Sequence, residues 1–185
     1  MTALHERRFS VKQAAFITRL EEKGIDRFIF EAKLRARQQT RELDARDLFF
    51  LEICREHQED LTPRGRERIY EALHALDKIG ASLTVGALEL ALKDIGKAIR
   101  ERADLVQQAE EAVVEDPDIL GGEPVIRGTR IPARNVAAKL ARGATVDAIV
   151  RSYPTLDPEK VELAKLWVEL NPKRGRPARR TWRGR

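Results

Sequence analysis

The side chains best placed to do chemistry in this sequence are cations. The last fifteen residues, NPKRGRPARRTWRGR, hold Lys173, Arg174, Arg176, Arg179, Arg180, Arg183 and Arg185 and no acid. The whole chain carries a net charge of +5, and removing this tail leaves 28 bases against 30 acids, so the body is about neutral. A tail of that kind calls for an acidic partner. Two chemistries fit it. PKRGRP has the form of an AT-hook core, in which a short Arg-Gly-Arg lies in a narrow, electronegative A·T minor groove while prolines keep the chain extended. An extended basic arm can equally thread an acidic metal-binding cleft, where Lys173, Arg174, Arg176, Arg179 and Arg180 pair with carboxylates that would otherwise hold Mg²⁺ and Trp182 acts as an apolar anchor. The plain alternative is a disordered, solubilising end.

The catalytic inventory is thin. His5, His57 and His74 are far apart in sequence, and one cysteine, Cys54, with no local histidine pair offers no zinc spacing. The acid pairs Glu21-Glu22 and Glu110-Glu111 are adjacent, so on a helix they point different ways and read as solvated. No Ser-His-Asp or Cys-His arrangement stands out. The expectation is a non-enzymatic protein with no cofactor and no metal.

At 185 residues, 42% of them hydrophobic and 35% charged, the chain has the composition of a charged globular protein with room for one or two small domains. No apolar run approaches the roughly 20 residues that span a bilayer. MTALHERRFS lacks the apolar stretch of a secretory signal, and a single cysteine suits a reducing cytosol, so a cytoplasmic location is expected.

Residues 9–34 read as two short helices. Ser10 caps the first, with Gln13 in capping-box position, and Glu21 to Gly24 make the turn. Ile25, Phe28, Ile29 and Ala32 then repeat at helical spacing. A polar, basic stretch leads to a third helix marked by Leu48, Phe49, Leu51 and Ile53. Thr62-Pro63 starts a fourth, expected to stop at Gly80. Residues 82–90 are strand-like, and Leu92 to Ala112 forms a long charged helix with Ile95, Ile99, Leu105 and Val106 on one side. Residues 113–131 pack prolines and glycines between short β-branched runs, which predicts turns and short strands. Three helices follow: 132–142, 145–152 capped by Thr145, and 157–169 capped by Asp157. They make a helix-turn-helix-like bundle.

Within the turn-rich segment, Gly121, Gly122 and Gly128 allow positive φ while Pro124 and Pro132 punctuate the chain. Their role is read as structural. A phosphate-cradling loop would feed a helix N-terminus and carry a lysine, whereas GGEPVIRG carries an acid. Arg127 and Arg130 have three candidate roles: pairing with acids, fixing the loop, or touching phosphate.

FSVKQAAFITRL, followed by GIDRFIFEAKL and a basic stretch, resembles the winged helix-turn-helix of the MerR and excisionase kind. The resemblance implies a second helix laid in the major groove, with Lys23, Asp26, Arg27 and Lys33 on or beside it and Arg35, Arg37 and Arg41 on a wing. DPDILGGEPVIRGTRIPARNVAAKLARGATVDAIVRSYPTLDPEKVELAKL resembles domain-of-unknown-function family 433, over residues 113–170. Members of that family serve as VapB-like antitoxins of PIN-like ribonuclease toxins. In its long members a winged helix-turn-helix precedes this domain and a PKRGRP-type tail follows it.

These readings predict a mainly α protein. A winged helix-turn-helix over residues 1–80 would bind DNA through Lys23, Arg27, Lys33, Arg35, Arg37 and Arg41. Residues 81–112 would connect and dimerise, 113–170 would form a three-helix domain with short strands, and 171–185 a disordered basic tail. The function this implies is a type II antitoxin that binds a PIN-like ribonuclease toxin and double-stranded operator DNA, as a homodimer within a larger complex. A DNA-binding regulator or architectural protein with an AT-hook-like tail and no toxin is the alternative, and an excision accessory factor a further one.

Overall fold

The computed structural model describes residues 4–31 and 42–173, and it is mainly helical with a few short strands. Two compact units divide the chain, residues 1–108 and 109–185.

In the first unit a 3-10 turn, Leu4–Glu6, precedes β1 (Phe9–Ser10), α1 (Val11–Thr18) and α2 (Glu22–Glu31). Then come β2 (Glu42–Leu43), α3 (Ala45–Glu56), α4 (Pro63–Ala75), the hairpin β3 (Ser82–Val85) and β4 (Leu88–Ala91), and α5 (Lys93–Ala112), which enters the second unit at Ala109. β1 and β2 pair antiparallel, Phe9 opposite Leu43, and β3 and β4 pair with Leu83 opposite Leu90.

The helix starts follow from local chemistry. Ser10 Oγ accepts from the Gln13 amide at 3.2 Å while Gln13 Oε1 accepts from the Ser10 amide at 2.9 Å, as the capping box requires. Asp44 and Asp47 exchange the same pair of bonds at the start of α3, and Thr62 Oγ1 caps α4 ahead of Pro63.

Helix α3 runs through the middle of this unit: nine of its twelve residues are buried, from Ala45 to Cys54 with Arg46 as the exception. A helix buried on every side has no polar face, so its apolar residues show little periodicity. Its two buried acids, Glu52 and the capping-box residue Asp47, are paired instead. Glu52, with a side chain 2% exposed, accepts from Arg102 at 2.9 Å and from Arg55 at 3.1 Å. The bond to Glu52 raises the Arg55 pKa above its ordinary value. Asp47 lies 3.2 Å from His74 Nε2.

Three expectations are corrected here. The turn between the first two helices comes earlier than Glu21–Gly24: Arg19 closes α1 in the left-handed conformation, φ 54°, and Gly24 already lies inside α2. Helix α4 ends at Ala75, where Leu76 turns to extended backbone, rather than at Gly80. Leu105 is 42% exposed, because α5 buries the row Ile95, Ile99, Ala103 and Val106 and Leu105 lies off it.

The second unit pairs β5 (Val113–Val114) with β6 (Val125–Ile126) antiparallel and adds α6 (Ala133–Ala141), α7 (Val146–Ser152) and α8 (Pro158–Leu170). Its core joins Val113 and Ile126 to Val136, Ile149, Leu156, Val161, Ala164 and Trp167. Thr145 and Asp157 cap α7 and α8 as expected. The Lys160 amide donating to Asp157 at 2.8 Å holds that carboxyl below its ordinary 3.8. A carboxylate whose pKa falls on folding stabilises the folded state above the unfolded pKa and loses that contribution as pH drops through the folded one. An NMR titration of the Asp157 carboxyl should therefore place its midpoint below 3.8; a midpoint at or above it would show the cap is not formed in solution.

Candidate functional site

The residues singled out from the sequence fall in three places. On α2, Ile25 and Phe28 are fully buried, which turns Lys23, Asp26 and Arg27 to solvent. Lys23 and Arg27 stand four apart and so share a face. The Arg27 guanidinium lies 4.8 Å from the Phe28 ring centroid, and Arg66 lies 5.1 Å from the same ring. An ion pair at 3.0 Å between Lys12 and Glu22 ties the first turn of α1 to that of α2. Lys33, Arg35, Arg37 and Arg41 lie outside the described residues. The chain between them is bounded, however, by α2 on one side and by β2, paired to β1, on the other. Residues 32–41 contain four cations and no acid.

The second place is the GGEPVIRGTRIP loop, a pair of hydrogen-bonded turns around β6. Leu120, Gly121 and Gly122 take positive φ in succession, 51°, 68° and 84°. Only glycine does so without penalty, so Gly121 and Gly122 are set by the backbone. The Asp118 amide donates to Asp116 Oδ1 at 2.9 Å, and Gly122 N–H closes the turn on the Ile119 carbonyl at 3.1 Å. Beyond Gly128, Thr129 Oγ1 donates to the Ile126 carbonyl at 2.8 Å and accepts from the Ile131 amide at 3.1 Å. The carbonyl of Pro124 receives the Ala133 amide at 3.0 Å, seating α6 on the loop. Arg127 fixes the loop, its Nε donating to the Glu111 carbonyl and its amide to that of Ala112. Arg130 is exposed and makes no ion pair among the described residues.

The third place is the exit of the basic tail. Glu110 receives Trp167 Nε1 on Oε2 and Asn171 Nδ2 on Oε1, each at 3.1 Å, and Arg134 lies 5.3 Å from the Trp167 ring centroid. The chain therefore leaves α8 from a fixed point. Lys173 is exposed just beyond it, and Arg174, Arg176, Arg179, Arg180 and Trp182 lie outside the described residues. The Glu110-Glu111 pair read as solvated is corrected in part: Glu110 is exposed, yet both of its oxygens are in use. Its partners stand 57 and 61 residues away, so no local pattern announces them.

Two further observations bear on chemistry. Asp44, Asp47 and His74 bring potential ligand atoms within 4.8 Å of one another. The Asp44 and Asp47 oxygens cap the backbone at the start of α3, and Asp47 also meets His74, which accounts for the cluster structurally. On α8 the exposed side chains Glu159, Glu162 and Glu169 stand against Lys165 and the comparably exposed Lys160. That helix has the wrong charge to follow a phosphate backbone.

These features define a mainly helical chain of two units in which a turn-rich strand pair carries a three-helix bundle. Residues 113–166 match the family described as "Protein of unknown function (DUF433)", within the span where the GGEPVIRGTRIP resemblance lay. Over 89 residues the chain is 45% identical to "Uncharacterized protein y4eO" of Sinorhizobium fredii (strain NBRC 101917 / NGR234). That alignment takes in 48% of this chain and 40% of the relative, so the chain spans well under two thirds of the curated protein it matches. No solved structure matches. No described helix is long and apolar enough to cross a membrane.

Proposed function

We propose that this protein is a DNA-binding antitoxin: its first unit recognises operator DNA through a winged helix-turn-helix, and its second unit with the basic tail binds and silences a PIN-like ribonuclease. The observation that carries the reading is the placement of charge. Two acid-free segments, 32–41 and 172–185, hold eleven of the 35 bases, leaving 24 on the rest of the chain against 30 acids. Each segment adjoins a fixed anchor, the β1–β2 pair in one case and the Glu110–Asn171 bond in the other. Basic segments held at fixed points on an acidic body suit two polyanionic partners. The short turn between α1 and α2, the exposed Lys23 and Arg27, and the acidic face of α8 favour the first unit over the second for DNA.

Co-expression with a neighbouring small nuclease should restore growth, and the two chains should co-purify. In the same preparation, Arg37→Ala should weaken operator binding by roughly 1–3 kcal/mol if a bidentate base contact is lost. Failure both to co-purify and to protect overturns the antitoxin reading. Unchanged affinity in Arg37→Ala and Lys23→Ala, with DNA still bound by residues 113–185, overturns the assignment of DNA to the first unit.

A further inference from the structure

The first unit holds a cavity of about 520 Å³ that the proposed activity does not use. Its position follows from how α3 and α5 meet. A Cβ on Gly96 would stand 2.9 Å from Phe49 Cζ and 3.4 Å from Arg100 Nη1, so glycine lets the first turns of the two helices close together. The loop after α4 completes the wall and is held at both ends. Arg46 Nη2 donates to the Leu76 carbonyl at 2.7 Å and the Asp77 carbonyl at 3.3 Å, and the Leu92 amide donates to the Ala81 carbonyl at 2.7 Å. These tethers preform the cavity.

Its lining separates into two kinds of surface. Leu4, Ala45, Phe49, Ile79 and Leu92 supply an apolar wall. Arg46, Lys78, Lys93 and Arg100 supply four permanent positive charges, and Asp77 is the one carboxylate among the lining residues. The first turn of α5 opens here, and Leu92, in the position before the helix, has no side-chain oxygen for its amides. A pocket of several hundred Å³ with apolar walls and a few convergent polar groups is the form of a small-molecule site. The excess of cations selects an anion. A phosphate monoester, with three terminal oxygens, can meet several of these donors at once while its organic part lies against the apolar wall.

We propose that this cavity binds a phosphate monoester attached to an apolar or planar group, of about the size of a nucleoside monophosphate. None of the residues lining the cavity lies on α2, so the proposal stands whether or not the antitoxin reading holds. The phosphate has two possible sources, a free organic phosphate or the terminal phosphate of a nucleic acid strand.

The test is calorimetric titration of the full chain with 5′-AMP, inorganic phosphate, and a short duplex bearing 5′-phosphates, alongside a Lys93→Glu/Arg100→Glu variant and, separately, Lys78→Glu. Both altered helix positions are solvent-exposed, and an unchanged circular dichroism spectrum confirms that each variant is folded. The expected result is saturable binding of 5′-AMP, at least tenfold weaker binding of inorganic phosphate, and at least tenfold loss of 5′-AMP affinity in the charge-reversed proteins. Displacement of 5′-AMP by the phosphorylated duplex but not by the same duplex without 5′-phosphates assigns the phosphate to nucleic acid ends. Binding of 5′-AMP undisturbed by either duplex assigns it to a free organic phosphate. Absence of saturable 5′-AMP binding, or affinity unchanged in both folded variants, overturns the proposal.

Discussion

Glu52→Ala should destabilise the first unit by about 3–5 kcal/mol, the cost of removing one partner from a buried ion pair. Glu52 is 2% exposed and accepts from Arg102, itself 12% exposed, at 2.9 Å. Arg102 Nε is already buried without a hydrogen-bond partner among the described residues, so losing the carboxylate leaves a guanidinium poorly solvated and uncompensated. Arg55, at 34% exposure, can turn to water, and Glu56 lies 3.3 Å from it, so the cost falls on Arg102. Glu52→Gln should cost less, since an amide oxygen still accepts. Glu52→Leu combined with Arg102→Met should recover most of the loss, because two apolar groups of similar volume need no desolvated charge. Chemical denaturation followed at Trp167 would report the second unit, so far-UV circular dichroism is the measurement to use. A change below about 1 kcal/mol for Glu52→Ala would mean that water reaches Arg102 and that the pair behaves as a surface one.

This pair also marks where reading from sequence stops. Helix starts were legible because a cap is a contact over two or three residues: Ser10 with Gln13, Thr62 before Pro63, and Thr145 and Asp157 at the second unit's helices all stand where their types suggested. The turn after α1 was misplaced for a local reason as well. Gly24 looks like a chain reversal, but Arg19 takes the left-handed position and Gly24 continues the helix. Contacts between distant residues carry no such signature. Glu52 meets Arg102 across 50 residues and Glu110, which reads as solvated, meets Asn171 across 61, and in both cases the acid is held by a partner that only the fold supplies. The cavity was illegible on the same grounds, since its lining comes from the 3-10 turn, α3, the loop after α4 and α5. In the second unit, Gly121 and Gly122 were legible as turn formers because positive φ is a property of the residue itself, whereas the bond from Arg127 to the Glu111 carbonyl, which ties that side chain to the loop, is seen only in the structure.

The tail carries the other large expected effect, and the structure decides where to cut it. Truncation after Leu170 would also remove Asn171, whose Nδ2 donates to Glu110 at 3.1 Å and to the Trp167 carbonyl at 3.1 Å, and so would mix a stability change with the loss of the arm. Truncation after Lys173 keeps those bonds and removes six arginines with Trp182. If the tail is the arm that occupies an acidic nuclease cleft, this shortened chain should bind operator DNA with nearly unchanged affinity and lose inhibition of the nuclease, because each arginine removed frees a carboxylate to hold metal. If the tail is an AT-hook, the outcome reverses: DNA affinity falls, and the slope of its logarithm against log salt flattens by about 2 when Arg174 and Arg176 no longer release counterions. We expect the first outcome, since the first unit already has the acid-free basic sequence 32–41, which follows α2 in the chain, and the exposed Lys23 and Arg27 on α2 itself. Full inhibition by the shortened chain would remove the arm from the mechanism. The decisive contacts would then pass to the second unit, where Arg127 ties down the loop and Arg130 is one of several exposed cations, Arg142 and Arg151 among them, that could meet a partner.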